Sequence, residues 1–303
     1  MSQRVNRSEY RGGSQERGPR NFKTHVVRKE GNVVQIAERN VVSTHPLNSV
    51  KNVAKLMKEH DFRRIPITDA GSKRLEGLAT AMDILDFLGG GEKYNIIVKD
   101  YGGNLPAAIN CPIRKIMREA SFLDKTASVD DAVNIILTKH TSAIPIVEDR
   151  KDKKVIAIVT ERDVMPQAEV FGVTVEEVMR TDPIIATPGM MISDVSKVMV
   201  RNGFRRLPVI RERKLVGVVT VFDILEFLGY GEFHHVEAEE ALSERVEEIM
   251  SSEAVTVDEG QDLGEVAKLV KDTGIGGFPV VKGGCIVGIV TISDLIKAAY
   301  GSR

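Results

Sequence analysis

Apolar positions along the 303-residue chain fall into one phrase that recurs four times. Each copy carries a stripe at helical spacing. Val50, Val53, Ala54 and Met57 follow i, i+3, i+4, i+7, as do Val129, Ala132, Val133 and Ile136, and Leu263, Val266, Ala267 and Val270. In the third copy Ile192, Val195 and Met199 give i, i+3, i+7. Such a stripe draws one apolar face down a helix. An X-Pro-aliphatic strand follows: Ile65-Pro66-Ile67, Ile144-Pro145-Ile146, Leu207-Pro208-Val209 and Phe278-Pro279-Val280. After a polar turn comes a second apolar strand. It ends in Thr-x-x-Asp, opening another helix at Thr80 and Asp83, Thr160 and Asp163, Thr220 and Asp223, and Thr291 and Asp294. With a short strand ahead of each first helix, the unit reads β-α-β-β-α. The fold class is α+β.

The copies are unequally alike. Phe62-Arg63-Arg64-Ile65-Pro66 matches Phe204-Arg205-Arg206-Leu207-Pro208, and residues 83–89 match 223–229, so copies one and three belong together. A pair of units duplicated as a pair is the simplest history. The expected divisions are a tail over 1–31 and units over 32–90, 112–170, 171–231 and 245–301. One unit leaves an apolar face that needs a cover, so pairing within each half is expected.

Charge separates the tail from the rest. The chain has 42 Lys plus Arg against 43 Asp plus Glu, which argues against nucleic-acid binding over the whole surface. Residues 1–31 are nevertheless basic, polar and rich in Arg, Gly and Ser, and are expected to be disordered, because they bury too little to offset their ordering entropy. The two cysteines, Cys111 and Cys285, form no metal or disulfide pattern. No membrane-length apolar run and no secretory h-region is visible, so a cytoplasmic protein is expected.

The repeats resemble the cystathionine-β-synthase (CBS) domain, and each pair resembles a Bateman module. Four copies in one chain are similar to the gamma subunit of AMP-activated protein kinase and to stand-alone four-CBS proteins of archaea. The shared phrases are Arg-Arg-aliphatic-Pro and Gly-aliphatic-aliphatic-Thr-x-x-Asp, and the resemblance covers about residues 33–301. It implies two Bateman modules packed as a flat disk. It also implies binding of adenine nucleotides, or in some members S-adenosylmethionine, between paired units, with a sensing role rather than catalysis.

Residue chemistry fits that implication without requiring it. The Asp83, Asp163, Asp223 and Asp294 carboxylates can accept from both hydroxyls of a ribose, beside Thr80, Thr160, Thr220 and Thr291 at helix starts that favour anions. A capping box satisfies the same pattern, and the two roles are compatible. Arg63, Arg64, Arg205 and Arg206 lie just before buried strands, where guanidinium forks suit phosphate oxygens. A solvated strand start is the alternative. Copies two and four have Thr141-Ser142-Ala143 and Gly276-Gly277 there, so unequal sites are expected, with Arg162 as a substitute cation. For the adenine, the strand before each first helix is the candidate, with Val42, Thr44, Ile185, Thr187 and Thr256. Plain core strand is the alternative. Ala157 replaces the Gly77, Gly217 and Gly288 of the other copies, which weakens the case for a close backbone-to-ligand approach in copy two. Met117, Met179 and Met250 read as core, and His234-His235 as a solvated linker.

The four units leave no block for a catalytic domain, so no enzyme and no catalytic cofactor is expected. The leading reading is a sensor of AMP, ADP or ATP that reports to a protein partner, as a monomeric disk or a homodimer, with no membrane contact. Two others stay open. Arg11-Gly12-Gly13 resembles an RGG segment, so the tail can serve a nucleic-acid-associated regulator. S-adenosylmethionine is the third, though its cationic sulfonium fits arginine pairs poorly.

Overall fold

The computed structural model describes residues 26–89, 91–167, 170–228 and 242–301. The first unit contains Val50–His60 (α1), Arg64–Thr68 (β1), Leu75–Thr80 (β2) and Ala81–Leu88 (α2). Two helices, Tyr94–Tyr101 (α3) and Leu105–Ala108 (α4), fill the connection. The second unit has Leu123–Asp124 (β3), Val129–Lys139 (α5), Ala143–Val147 (β4), Val155–Thr160 (β5) and Glu161–Val164 (α6). The third has Val175–Val178 (α7), Arg180–Thr181 (β6), Ile192–Asn202 (α8), Arg206–Arg211 (β7), Lys214–Thr220 (β8) and Val221–Phe227 (α9). The fourth has Val257–Asp258 (β9), Leu263–Thr273 (α10), Gly277–Lys282 (β10), Cys285–Thr291 (β11) and Ile292–Tyr300 (α11).

The helical stripes are buried as their spacing predicts. Val50, Val53, Ala54 and Met57 lie inside, with their counterparts in α5, α8 and α10. Each Val, Leu, Ile or Met of these stripes contributes about 1.5–3 kcal/mol by leaving water. Ser49 and Ser128 cap α1 and α5 through their hydroxyls, each worth about 1 kcal/mol. In α8 the fourth stripe position is Ser196, whose Oγ donates to Ile192 O at 2.7 Å. Its small side chain lets the end of α2 approach at Gly89, where a Cβ would stand 2.8 Å from the Ser196 Cβ.

Within each unit a hairpin pairs antiparallel, β1 with β2, β4 with β5, β7 with β8, and β10 with β11. All four hairpins shift register at the same place, directly after the residue that follows the strand proline: Ile67, Ile146, Val209 and Val280. The leading strand joins each hairpin in parallel, as β3 on β4 and β9 on β10. In units one and three it shrinks to single bridges, Thr44 to Ile67 and Ala186 to Val209.

Pairing within halves is built from exchanged backbone. The segment opening each unit adds to the hairpin of its neighbour. Arg118 bridges Leu78 in unit one, and Glu38 bridges Ile158 in unit two. In the second half β6 pairs with β11, and Ser251 bridges Val218. The same segments cap first helices: Val50 N donates to Cys111 O, Val129 N to Gly31 O, Ile192 N to Glu244 O and Leu263 N to Val173 O.

The apolar helix faces are covered differently from the sequence expectation. One core merges units one and three, and a second merges units two and four. Helix α2 packs on α9, and α6 on α11, across the halves. Backbone exchange therefore joins neighbours within a half, and helix packing joins the halves, closing a ring of four units.

Part of the expected tail is ordered. Val27 exchanges backbone hydrogen bonds with Gln167, and Lys29 N donates to the Tyr300 hydroxyl at 3.0 Å. Residues 1–25, with the RGG-like segment, and His234-His235 lie outside the described residues. No helix among the described residues is long and apolar enough to cross a membrane.

Candidate functional site

Each Thr-x-x-Asp turn sits where a hairpin's second strand enters a helix, and all four form capping boxes. One carboxylate oxygen is spent there. Thr80 N and Oγ1 donate to Asp83 Oδ2 at 2.9 and 2.6 Å, and Thr160 repeats this to Asp163 at 2.7 and 2.8 Å. Thr291 does the same to Asp294 at 2.8 and 2.7 Å, and Thr220 N donates to Asp223 Oδ2 at 2.7 Å. The cap thus fixes the carboxylate and turns Oδ1 outward.

The outward oxygens differ. At Asp163, Asp223 and Asp294, Oδ1 has no hydrogen-bond partner among the described residues. Burial raises the Asp223 and Asp294 carboxyls above the ordinary carboxylate range, against the lowering effect of the Thr hydrogen bonds. Asp83 is fully buried, and its Oδ1 accepts from Lys93 Nζ and the Arg118 guanidinium.

The arginine pairs converge from opposite halves. Arg205 reaches unit two, where its Nη1 lies 3.4 Å from Ser142 Oγ and its Nη2 lies 3.3 Å from Glu161 Oε2. Arg206 Nη1 donates to Gly277 O of unit four at 2.6 Å. Arg63 lies 5.4 Å from the Phe222 ring of unit three. Arg162 of unit two donates to Gly274 O of unit four. Arg64 pairs through its backbone with Thr80 in the hairpin, while its guanidinium makes no hydrogen bond or ion pair with a described residue.

These guanidiniums feel one another. Burial, then Arg205, lowers Arg64 to about 9. Burial, then Arg63, Arg205 and Arg162, lowers Arg206 to about 10. Arg63 is lowered by burial and by Arg205 and Arg162. Buried Glu161 lies among them, held by Arg205 and by Ser293 Oγ at 2.9 Å. Five guanidiniums share this region with the carboxylates of Glu161, Asp61 and Asp223, an excess of positive charge suited to phosphate oxygens.

On the base side, Val42, Ile185 and Thr256 are half-buried, and their backbone amides donate to no described residue. Thr44 N and O are already paired with Pro66 O and Thr68 N at 3.1 and 2.8 Å. Strand register aligns Thr44 with Ala186 and Val257, so Thr187 falls one residue beyond, in the turn to α8.

The glycine pattern has a different cause from ligand approach. A Cβ on Gly77 would stand 2.9 Å from Arg118 O, on Gly217 2.5 Å from Ser251 O, and on Gly288 2.9 Å from Arg180 O. Met117, Met250 and Met179 lie over the same positions. The exchanged segment demands the glycine. In unit two the segment brings Ala37 in place of the methionine, and Ala157 faces it.

Sequence reasoning missed Glu161, Lys93 and Arg118. A recurring Met-Arg in the segments opening units two and three was the available signal for Arg118, but nothing in the pattern shows that the segment crosses to its neighbour. Among the described residues no group of His, Cys, Asp or Glu is placed to hold a metal ion.

Comparison with known proteins agrees with this architecture. The CBS domain family model matches residues 33–90, 113–167, 175–230 and 246–301. The uncharacterized protein MJ1225 of Methanocaldococcus jannaschii is 39% identical over 276 residues, covering 88% of this chain and 98% of its own. Its crystal structure superposes with a TM-score of 0.82, over 88% of this chain and 99% of that one; MJ1225 has been proposed as an archaeal homolog of g-AMPK. An uncharacterized Pyrococcus horikoshii protein, at 19% identity and TM-score 0.57, shares the fold over 89% of this chain and all of its own. The chain is therefore a member of the CBS domain family, with four CBS repeats forming two Bateman modules in an α+β fold.

Proposed function

We propose that this chain is a non-catalytic regulatory protein that binds AMP, ADP or ATP in the clefts between its units and reports their occupancy to a protein partner. Arg64 carries the reading. It is a half-buried guanidinium without a counter-charge of its own, in a cluster drawn from three units. A bound polyphosphate supplies the missing charge. The open Oδ1 atoms of Asp223, Asp163 and Asp294 accept ribose hydroxyls. The undonated amides of Val42, Ile185 and Thr256 serve the base.

The arginine cluster also supplies a mechanism. Because Arg63, Arg205 and Arg206 come from opposite halves, a phosphate chain that engages them ties the modules together. The number of phosphates then sets how strongly one packing is favoured, since a ligand shifts an equilibrium by its differential affinity for the two states. Calorimetric titration of the full chain with AMP, ADP, ATP and S-adenosylmethionine tests the reading. Micromolar binding of an adenine nucleotide, weakened by Arg64→Met, supports it. Binding of S-adenosylmethionine alone, or of none of the four, overturns it.

A further inference from the structure

The four Thr-x-x-Asp turns share a sequence phrase but not an environment. In unit one the outward oxygen is already taken. Lys93, just ahead of α3, sends its ammonium to Asp83 Oδ1 and to Ile116 O, the latter at 2.7 Å. Its backbone N donates to Asp86 Oδ1 at 3.0 Å, which anchors the lysine over the turn. Arg118 adds Nε contacts at 3.0 and 3.1 Å to the two Asp83 oxygens. With both Thr80 donors counted, the acceptor capacity of the carboxylate is used up.

The arginine alone does not close a turn. Unit four has Arg180 at the matching position, yet Arg180 makes no hydrogen bond to Asp294 and lies 5.3 Å from the Phe204 ring. Unit three has Ser251 there, and unit two has Glu38. Among the described residues, what sets unit one apart is the lysine brought by the connection over residues 91–110.

We infer that Lys93 is a specificity-determining residue that closes the first cleft to nucleosides, its ammonium occupying the place on Asp83 that ribose hydroxyls take at the other turns. The inference rests on the nucleotide reading above for the role of those turns. Unit one is then self-liganded, and its Arg63 and Arg64 serve ligands held by other units.

Calorimetric titration of the full-length chain with AMP tests it, with circular dichroism to check the fold. Lys93→Ala is expected to bind one more equivalent per chain than the parent, and Lys93→Arg to match the parent. Adding Asp83→Asn to Lys93→Ala removes the extra equivalent, and Asp83→Asn alone leaves the parent count unchanged. Lys93→Ala/Arg118→Ser is a second route to the open cleft if Arg118 moves into the vacated place. Equal counts in the parent and both opened variants, with the fold intact, overturn the inference. So does a lower count in Asp83→Asn alone. A parent that binds no nucleotide while Lys93→Ala binds one sinks the proposed function at the other turns and leaves only the closure of the first cleft by Lys93. A parent that binds while no opened variant gains sinks this inference and spares the function.

Discussion

Arg205 of the third unit meets Glu161 of the second, Nη2 to Oε2 at 3.3 Å, at the junction of the two halves. Ser293 of the fourth unit donates to the other Glu161 oxygen at 2.9 Å, so one buried carboxylate joins three units. Glu161 is also the counter-charge within the arginine cluster. Glu161→Gln is expected to destabilise the ligand-free chain by about 1–3 kcal/mol, and added phosphate or ATP to restore much of the loss. Urea denaturation with and without the anion measures both effects. A variant as stable as the parent without anion contradicts this role.

Arg64 gives the opposite sign. Its half-buried, partly desolvated charge has no hydrogen-bonded partner among the described residues, so the fold bears a cost that a bound anion relieves. Arg64→Met should stabilise the ligand-free chain by about 1–4 kcal/mol while weakening nucleotide binding. Thermal melts with and without ATP check it. The parent should gain more from ATP than the variant does.

Asp223 links binding to pH. Burial raises its folded pKa above the ordinary 3.8. A carboxyl raised in this way costs stability at pH values above its folded pKa, and the cost disappears as pH falls through that value. Asp223→Asn, which can keep the cap acceptor, should therefore melt higher than the parent at pH 7. The gain should shrink on acidification. The same variant should bind AMP about 10–150-fold more weakly, from loss of a charge-assisted hydrogen bond worth about 1.5–3 kcal/mol. Scanning calorimetry at several pH values and one nucleotide titration measure both.

The strand glycines respond to the exchanged backbone. Gly217→Ala places a Cβ 2.5 Å from Ser251 O, a contact that only backbone movement relieves. The expected cost is about 1–3 kcal/mol. Ala157→Gly in unit two should cost only about 0.5–1 kcal/mol, from lost strand propensity. Met250→Ala should not rescue Gly217→Ala, because the close contact is with a carbonyl. Denaturant midpoints of the three variants decide it.

Much of this was legible in the chain. Helical stripes and X-Pro-aliphatic strands mark elements because burial on one face imposes a period, and Val50 to Met57 is buried as its spacing requires. Arg63, Arg64, Arg205 and Arg206 could be picked out because basic residues directly before a buried strand are conspicuous. Their convergence was not legible, since it depends on how α2 meets α9. Gly77, Gly217 and Gly288 were visible, but their reason lies in a carbonyl from a segment outside the repeat phrase. Lys93 was hidden for the same cause: no periodicity announces a side chain that folds back from a connection onto Asp83.

The exchange of opening segments sets the increment by which such a chain can be built. A lone repeat would carry a β-segment with no sheet to join and a hairpin edge with nothing to cover it. Two neighbours satisfy each other on both counts, as Arg118 on Leu78 and Glu38 on Ile158 do. A division at the junction of the halves leaves every such segment with its hairpin, whereas a division inside a half orphans two. Growth or loss of single repeats leaves unfinished edges open to aggregation, so the heritable module of this architecture is the pair.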